Sequence, residues 1–253
     1  MPLHYNPDKL LNYEAGIKSQ WWDHRLKFNA SLFIMHWDAI QLESSTSGSS
    51  NGDGAWWKHG TINGGAAENK GIEISGSARV TRGLTFDFNM IIADPKLTEE
   101  VQFPNHNRNP IPSGTQMVGA PKFKASGGLE YNFAWKPMGA DVWSRFDYSY
   151  QSGSYQSLYY ASADYQNAVF DAGIPPGYGR ITPWSYGKFQ VGATLPSKLE
   201  VTMTLDNVWD SKGANWMTTA EGGEADVWGD PRYHQLQSRF RPQNIGITIR
   251  KNF

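Results

Sequence analysis

The chain has 253 residues, no cysteine and a formal net charge of -1, from 23 basic and 24 acidic side chains. This excludes a disulfide framework, a thiolate metal site and a cysteine nucleophile, and it argues against a basic surface for nucleic acid. No apolar run nears the roughly 20 residues that a membrane-spanning helix needs, and the opening "MPLHYNPDKL" lacks the basic-then-apolar order of a signal peptide.

A helix places apolar residues every three to four positions, a half-buried strand every second one. The second rhythm recurs along the chain. Leu11, Tyr13, Ala15 and Ile17 alternate with Asn12, Glu14, Gly16 and Lys18. Leu26, Phe28, Ala30, Leu32 and Ile34 carry it on, until it blurs near Met35 and Trp37. Ile72, Ile74, Ala78 and Val80 oppose Glu73, Ser75, Ser77 and Arg79; Leu84, Phe86, Phe88 and Met90 oppose Thr85, Asp87 and Asn89. In "PKFKASGGLEYNFAW" the apolar positions are Phe123, Ala125, Leu129, Tyr131, Phe133 and Trp135. Val142, Phe146, Tyr148 and Tyr150 follow, then Phe189, Val191, Ala193 and Leu195, then Leu199, Val201, Met203 and Leu205. The chain closes on Ile245, Ile247 and Ile249 against Asn244, Gly246, Thr248 and Arg250, with Lys251 breaking the apolar row near the end. The reading is all-β, with about nine long antiparallel strands.

The connections alternate strictly. Short turns at "QWWDH" (20–24), "TRG" (81–83), "KPMGA" (136–140) and "PS" (196–197) are interleaved with long polar segments near 44–66, 96–119, 153–183 and 211–239. A soluble sandwich needs no such rule, whereas a transmembrane β-barrel has short periplasmic turns and long extracellular loops. Trp21, Trp22, Phe133, Trp135 and Phe253 lie at the short-turn ends; Tyr13, Trp37, Tyr148, Tyr150, Trp184, Tyr186 and Trp209 lie toward the long loops. Two aromatic girdles around an apolar band account for both groups. The expectation is an antiparallel transmembrane β-barrel segment, its low mean hydropathy reflecting one face toward lipid and one toward water.

Several motifs then resemble one family, the TonB-dependent receptors of bacterial outer membranes. "NYEAGIKSQWWDHRLKFNASLFIMHWDAIQ" (12–41) resembles its Tyr-Glu-x-Gly-x-Lys strand–turn–strand pattern, through Tyr13, Glu14, Gly16 and Lys18. "NKGIEISGSARVTRGLTF" (69–86) resembles its Lys-Gly-x-Glu hairpin, and "LDNVWDSK" (205–212) its Asn-Leu-Phe-Asp segment, with Val208 and Trp209 as substitutes. Ile245, Ile247, Ile249 and Phe253 resemble the terminal strand that the outer-membrane assembly machinery reads; "RP" (Arg241, Pro242) departs from the family's usual Pro-Arg. The resemblance implies a 22-stranded barrel filled by an N-terminal plug, which contacts an inner-membrane energy-coupling protein. Nothing in residues 1–253 matches the plug, so the chain reads as the C-terminal portion of the barrel only. The expected partners are outer-membrane lipid, the remaining strands and plug, that coupling protein, and a small ligand such as an iron chelate. An odd strand count with termini on opposite sides predicts a curved open wall or a strained small barrel.

Enzyme chemistry finds little support. Six scattered histidines have no zinc spacing, and no nucleophile elbow, phosphate loop or dinucleotide fingerprint occurs. Glu221, Glu224, Asp226 and Asp230 could hold calcium or, if they converged, act on a glycosidic bond, and Asn51 and Asp53 hint at calcium, but both sets read first as solvated loops. No cofactor or resident metal is expected. The candidate ligand residues sit on the long loops: Trp56, Trp57 and His59 (with Lys58) on the first, His106 and Arg108 on the second, Tyr159, Tyr160 and Tyr165 on the third. Aromatic faces with a few cations suit an anionic catecholate-type iron chelate. They suit sugar rings equally, and packing of loop against loop is the plain alternative. A ferric siderophore leads on family frequency; a carbohydrate receptor and a soluble aromatic-rich β-sheet binding module are the competing readings. The period of two predicts that the protein fractionates with the outer membrane and needs detergent for release; recovery in the aqueous supernatant contradicts it.

Overall fold

The computed structural model describes residues 4–49, 55–102, 110–156, 158–161, 180–219 and 235–251. Its strands, in chain order, are β1 (Lys9–Trp21), β2 (Leu26–Asp38), β3 (Gln41–Ser49), β4 (Ala55–Asn63), β5 (Ala67–Arg79) and β6 (Leu84–Ala93). There follow β7 (Lys96–Leu97), β8 (Phe123–Asn132), β9 (Asp141–Gln151), β10 (Ser154–Tyr155), β11 (Arg180–Ile181) and β12 (Trp184–Thr194). The last are β13 (Leu199–Asp206), β14 (Ala214–Thr219), β15 (Gln235–Arg239) and β16 (Asn244–Lys251). Among the described residues helix is confined to the single turn α1 (Leu158–Ala161) and a 3-10 turn at Pro137–Gly139. None is long and apolar enough to cross a membrane as a helix.

Nine of these strands make one antiparallel wall in the order β1-β2-β5-β6-β8-β9-β12-β13-β16, matching the nine segments that alternation identifies. Each short turn has a local cause. Thr81 Oγ1 accepts hydrogen bonds from the amides of Gly83 (3.3 Å) and Leu84 (3.1 Å), a side-chain-made turn. Lys198, in the left-handed region at φ 61°, donates its amide to Leu195 at 2.9 Å. Trp22, Asp23 and His24 are also left-handed, a costly conformation for the tryptophan.

The register aligns the apolar parities of all nine strands. One row runs Trp21–Leu26–Ala78–Phe86–Leu129–Phe146–Phe189–Leu205–Ile245, each residue directly opposite the next. Neighbouring rows repeat the pattern, as in Ala15–Leu32–Ile72–Ile92–Phe123. Among the described residues no second protein layer covers this face: Leu32 is 61% exposed and Ile247 70%. Each such side chain left in water forgoes about 1.5–3 kcal/mol. A face carrying dozens of them is stable only against lipid. In the neighbouring row a large ring sits beside glycine: the Trp209 indole covers Gly187, where an added Cβ would lie 2.3 Å from the ring, and packs on Phe146 and Tyr148.

Two expectations need correction. Trp37, Trp184 and Tyr186 lie near the long loops but stand in the polar parity of their strands, so they face inward and not into a lipid girdle. Trp37 packs on the buried cluster around Ile40 and donates its indole N–H to Asp8 at 2.7 Å. The long segments are also more structured than loop composition suggests. β3 and β4, nine residues each, pair antiparallel along their whole length, and β10–β11 and β14–β15 pair as well. Ser, Thr and Gly in "QLESSTSGS" carry no alternation, yet the backbone ladder needs none. The wall is open, with β1 and β16 at its edges. Nine antiparallel strands make these edges run the same way, so they cannot pair antiparallel with each other. Lys251, at the short-turn end, donates its ammonium to the Ser197 carbonyl, as a lysine reaching out of the apolar band should.

Phe189→Arg, midway along β12 on the outer face, is expected to destabilise the membrane-inserted protein by about 2–4 kcal/mol. Thr248→Arg, on the inner face, should stay within about 0.5 kcal/mol. Denaturant titration in lipid vesicles measures both.

Candidate functional site

The inner face of the wall is concave and bounds a trough of about 820 Å³. Its floor follows from the polar parity. A row of Lys18, Asn29, Ser75, Asn89, Ser126 and Ser149 crosses six strands, with Tyr186 next on β12. Asn29 donates to Ser75 Oγ at 3.2 Å. One step nearer the long loops, Lys124, Gln151 and Trp184 stand opposite one another on β8, β9 and β12, and all three line the trough. The Trp184 ring packs edge-on against Phe240 at 4.8 Å, and its indole N–H is buried without a hydrogen-bond partner. A lysine, a glutamine and a tryptophan on three adjacent strands thus line the loop end of the trough. Such a set can hold an anionic, oxygen-rich, ring-bearing ligand.

Toward the short turns the inner face becomes charged. The Arg145 guanidinium lies 2.7 Å from Asp147, 3.1 Å from Asp87 and 3.6 Å from Glu130. Gly128 leaves room for it: a Cβ there would come within 2.1 Å of Arg145 Nη2 and would push the guanidinium aside. Among the described residues no group of three or more His, Cys, Asp or Glu side chains is placed to hold a metal ion.

Above the trough the loops share a core. Ile40, Ala67, Leu97, Val101, Ile111 and Leu158 are buried together, joining the first, second and third long connections. Lys122 and Lys96 clamp Asp94 at 2.9 and 3.0 Å where the second connection leaves the wall. Hydrogen bonds from both ammonium groups, Lys122 first, hold the Asp94 carboxyl below its ordinary value of 3.8. Asp210 is likewise lowered by Lys212 and by the amide of Gln243.

The sequence candidates fall unevenly on this frame. Trp56, Trp57 and His59 lie on β4, paired in register with Gly48, Ser47 and Ser45. Tyr159 and Tyr160 lie in α1, whose Leu158 anchors the loop core. His106, Arg108 and Tyr165 lie outside the described residues, as do Phe253 and the acidic groups at 221–230. What joins the described loop bases is aliphatic: lone Ile, Leu and Val in polar surroundings. Reading strands only as wall missed Lys124, Gln151 and Trp184. The available signal was parity, because Trp184 is a tryptophan standing in its strand's polar register.

The chain matches the family described as TonB dependent receptor-like, beta-barrel, over residues 5–208. It belongs to that family of outer-membrane transport receptors, which are not enzymes. Comparison with the curated proteins finds no match. Among solved structures it is similar to the ferric yersiniabactin uptake receptor FyuA from Yersinia pestis, with a TM-score of 0.68 and 15% identity over 97% of this chain and 30% of that one. The ferric-catecholate import receptor Fiu from E. coli gives 0.59 and 14%, covering 97% and 27%. FpvA from P. aeruginosa, bound to a pyoverdine–iron complex, gives 0.59 and 15%, covering 98% and 28%. The chain therefore spans less than a third of the length of these three relatives, and at this identity they show the shared fold.

Because the pKa of Asp94 is depressed, its contribution to loop anchoring is complete above 3.8 and is lost as pH falls through the lowered folded value. Asp94→Asn should therefore loosen the second connection at neutral pH, with the difference from the native chain closing in strong acid. Urea unfolding followed by a probe on that loop, at pH steps from neutral downward, measures the gap.

Proposed function

We propose that this chain forms the C-terminal part of the barrel wall of an outer-membrane receptor for ferric siderophores. The loop end of the trough receives the chelate, and Lys124, Gln151 and Trp184 contribute to its binding. The carrying observation is that cross-strand row: one lysine, one glutamine and one tryptophan lining the concave face, with the long connections packed around a common core. Membership of the family and the siderophore cargo named for the three solved relatives support the same reading. Trp56, Trp57, His59, His106, Arg108, Tyr159, Tyr160 and Tyr165 supply further contacts from the long loops. Uptake draws on a plug in the complete receptor and, through it, on the inner-membrane energy-coupling protein. Ile245, Ile247, Ile249 and Phe253 act as the assembly signal of the terminal strand.

The role of this portion in a full receptor follows from the backbone. In lipid each unpaired N–H or C=O costs several kcal/mol, so the edges of β1 and β16 are to be paired by further strands that run the opposite way. A carbohydrate receptor of the same family is the second reading. It is favoured by the hydroxyl and amide row Ser75, Asn89, Ser126 and Ser149, which suits sugar hydroxyls without a net charge.

In the complete receptor, a Lys124→Gln, Trp184→Ala double variant is expected to raise the Kd for a ferric catecholate chelate about tenfold, equivalent to ~1.4 kcal/mol. Quenching of tryptophan fluorescence and uptake of radioactive iron under iron starvation measure it. Saturable oligosaccharide binding with no response to ferric chelates would favour the second reading.

A further inference from the structure

The trough carries a second chemistry on the far side of Ile91. The row that holds Trp184, Gln151 and Lys124 continues through Ile91 on β6 to Glu73 on β5 and Ser31 on β2. Glu73 and Lys124 therefore flank Ile91 at two strand spacings, about 10 Å apart along the wall. Toward the long connections two further inward rows follow, Glu14–Phe33–Gly71 and Asn12–Met35–Asn69. Between these three rows lies a hollow of about 110 Å³, which shares Glu14, Ser31, Glu73 and Ile91 with the trough.

One side of the hollow is apolar. The buried Phe33 ring lies on Gly71, where an added Cβ would come 2.8 Å from its edge, and Met35 and Ile91 continue the lining. The other side accepts hydrogen bonds. One oxygen of Glu14 takes the Ser31 hydroxyl at 2.6 Å, and Asn69 Oδ1 is buried without a partner. Elsewhere on the inner face charges are matched: Asp87, Glu130 and Asp147 share Arg145, and Glu200 meets Arg250. Among the described residues Glu73 and Lys124 have no such partner. Of the neighbouring cations, Lys122 is taken up by Asp94 at 2.9 Å, and Lys18 stands one inward row nearer the short turns, opposite Asn29. Two carboxylates beside a buried carbonyl oxygen call for a positively charged donor. A bare metal ion fits poorly, because Phe33, Met35 and Ile91 stand where it needs about six oxygens. An ammonium on an aliphatic stem suits both sides: its N–H groups meet the acceptors, and its methylenes and charge lie against the Phe33 ring. A water takes up about 30 Å³, so the hollow admits a short arm of this kind.

We propose that the hollow binds a protonated primary amine of the ligand, carried on an aminoalkyl arm, at Glu14, Glu73 and Asn69. The cargo is then dipolar, its ammonium in the hollow and an anionic part about 10 Å away at Lys124. This rests on the trough being the ligand site, and it narrows the ligand class whether the cargo is a chelate or a sugar.

The test titrates the complete receptor with two matched pairs of probes, read by quenching of tryptophan fluorescence. One pair is a ferric catecholate chelate with an aminobutyl arm and the same chelate acetylated on that amine. The other is an oligosaccharide with an aminobutyl aglycone and its acetylated form. In at least one pair the amine should bind about tenfold or more tightly than its acetylated partner, the scale of hydrogen bonds to charged groups. Glu14→Gln with Glu73→Gln should erase that preference, weakening the amine about tenfold and moving the acetylated probe by less than about twofold. Binding of the acetylated probe also reports that the variant is folded. Asn69→Leu leaves both carboxylates in place and should lower the preference in the same direction. A preference in the sugar pair alone sinks the siderophore reading and leaves the amine hollow standing. No preference in either pair overturns the hollow even where the acetylated chelate binds well; a plug lysine already seated there would give this result. A preference that survives the double Gln variant overturns it too.

Discussion

The whole arrangement depends on the antiparallel backbone ladder. Inside a bilayer no water is available to a stray N–H or C=O, so each strand must be paired along its membrane-crossing length. The nine wall strands satisfy this between β1 and β16 with unbroken register, including 13 consecutive partner pairs between β1 and β2. Side-chain chemistry is then free to differ completely on the two faces. It can be greasy outside and hydroxylated or charged inside, because neither face has to hold the sheet together.

Register turns that freedom into function. Since side chains alternate strictly, a slip of one residue would put Phe189 in the trough and Gln190 in lipid. Close approaches at glycine refine the surfaces the register creates. Gly187 lets Trp209 lie against the outer face, and Gly128 leaves room for Arg145 on the inner one, where three carboxylates share its charge. The loop end of the trough is left to Lys124, Gln151 and Trp184. A side chain's address in this wall is therefore two numbers, strand position and row, and only the second says what stands beside it.

The loops obey a different rule. They stand in water, so they need a core of their own, and Ile40, Leu97, Val101, Ile111 and Leu158 provide one. These residues were hard to read in advance, because isolated aliphatics in Ser- and Gly-rich segments show no period. The β3–β4 hairpin was hidden for the same reason: its order comes from backbone pairing and from anchoring at Ile40 and Ile62. By contrast, the wall strands were legible almost residue by residue. Burial in lipid on one side only imposes a period of two, and that signal survives without any knowledge of neighbours.

From its residues alone, the number of wall strands, their inside–outside parity and the membrane setting were determined, together with the alternation of short turns and long connections. All of these are consequences of local chemistry along one strand at a time. Only the tertiary structure decided which residues share a row. It joined Lys124 to Gln151 and Trp184, and it packed Trp37 on the loop core around Ile40. Those pairings connect segments tens of residues apart, and their register comes from hydrogen bonding and packing between strands, which no single segment encodes.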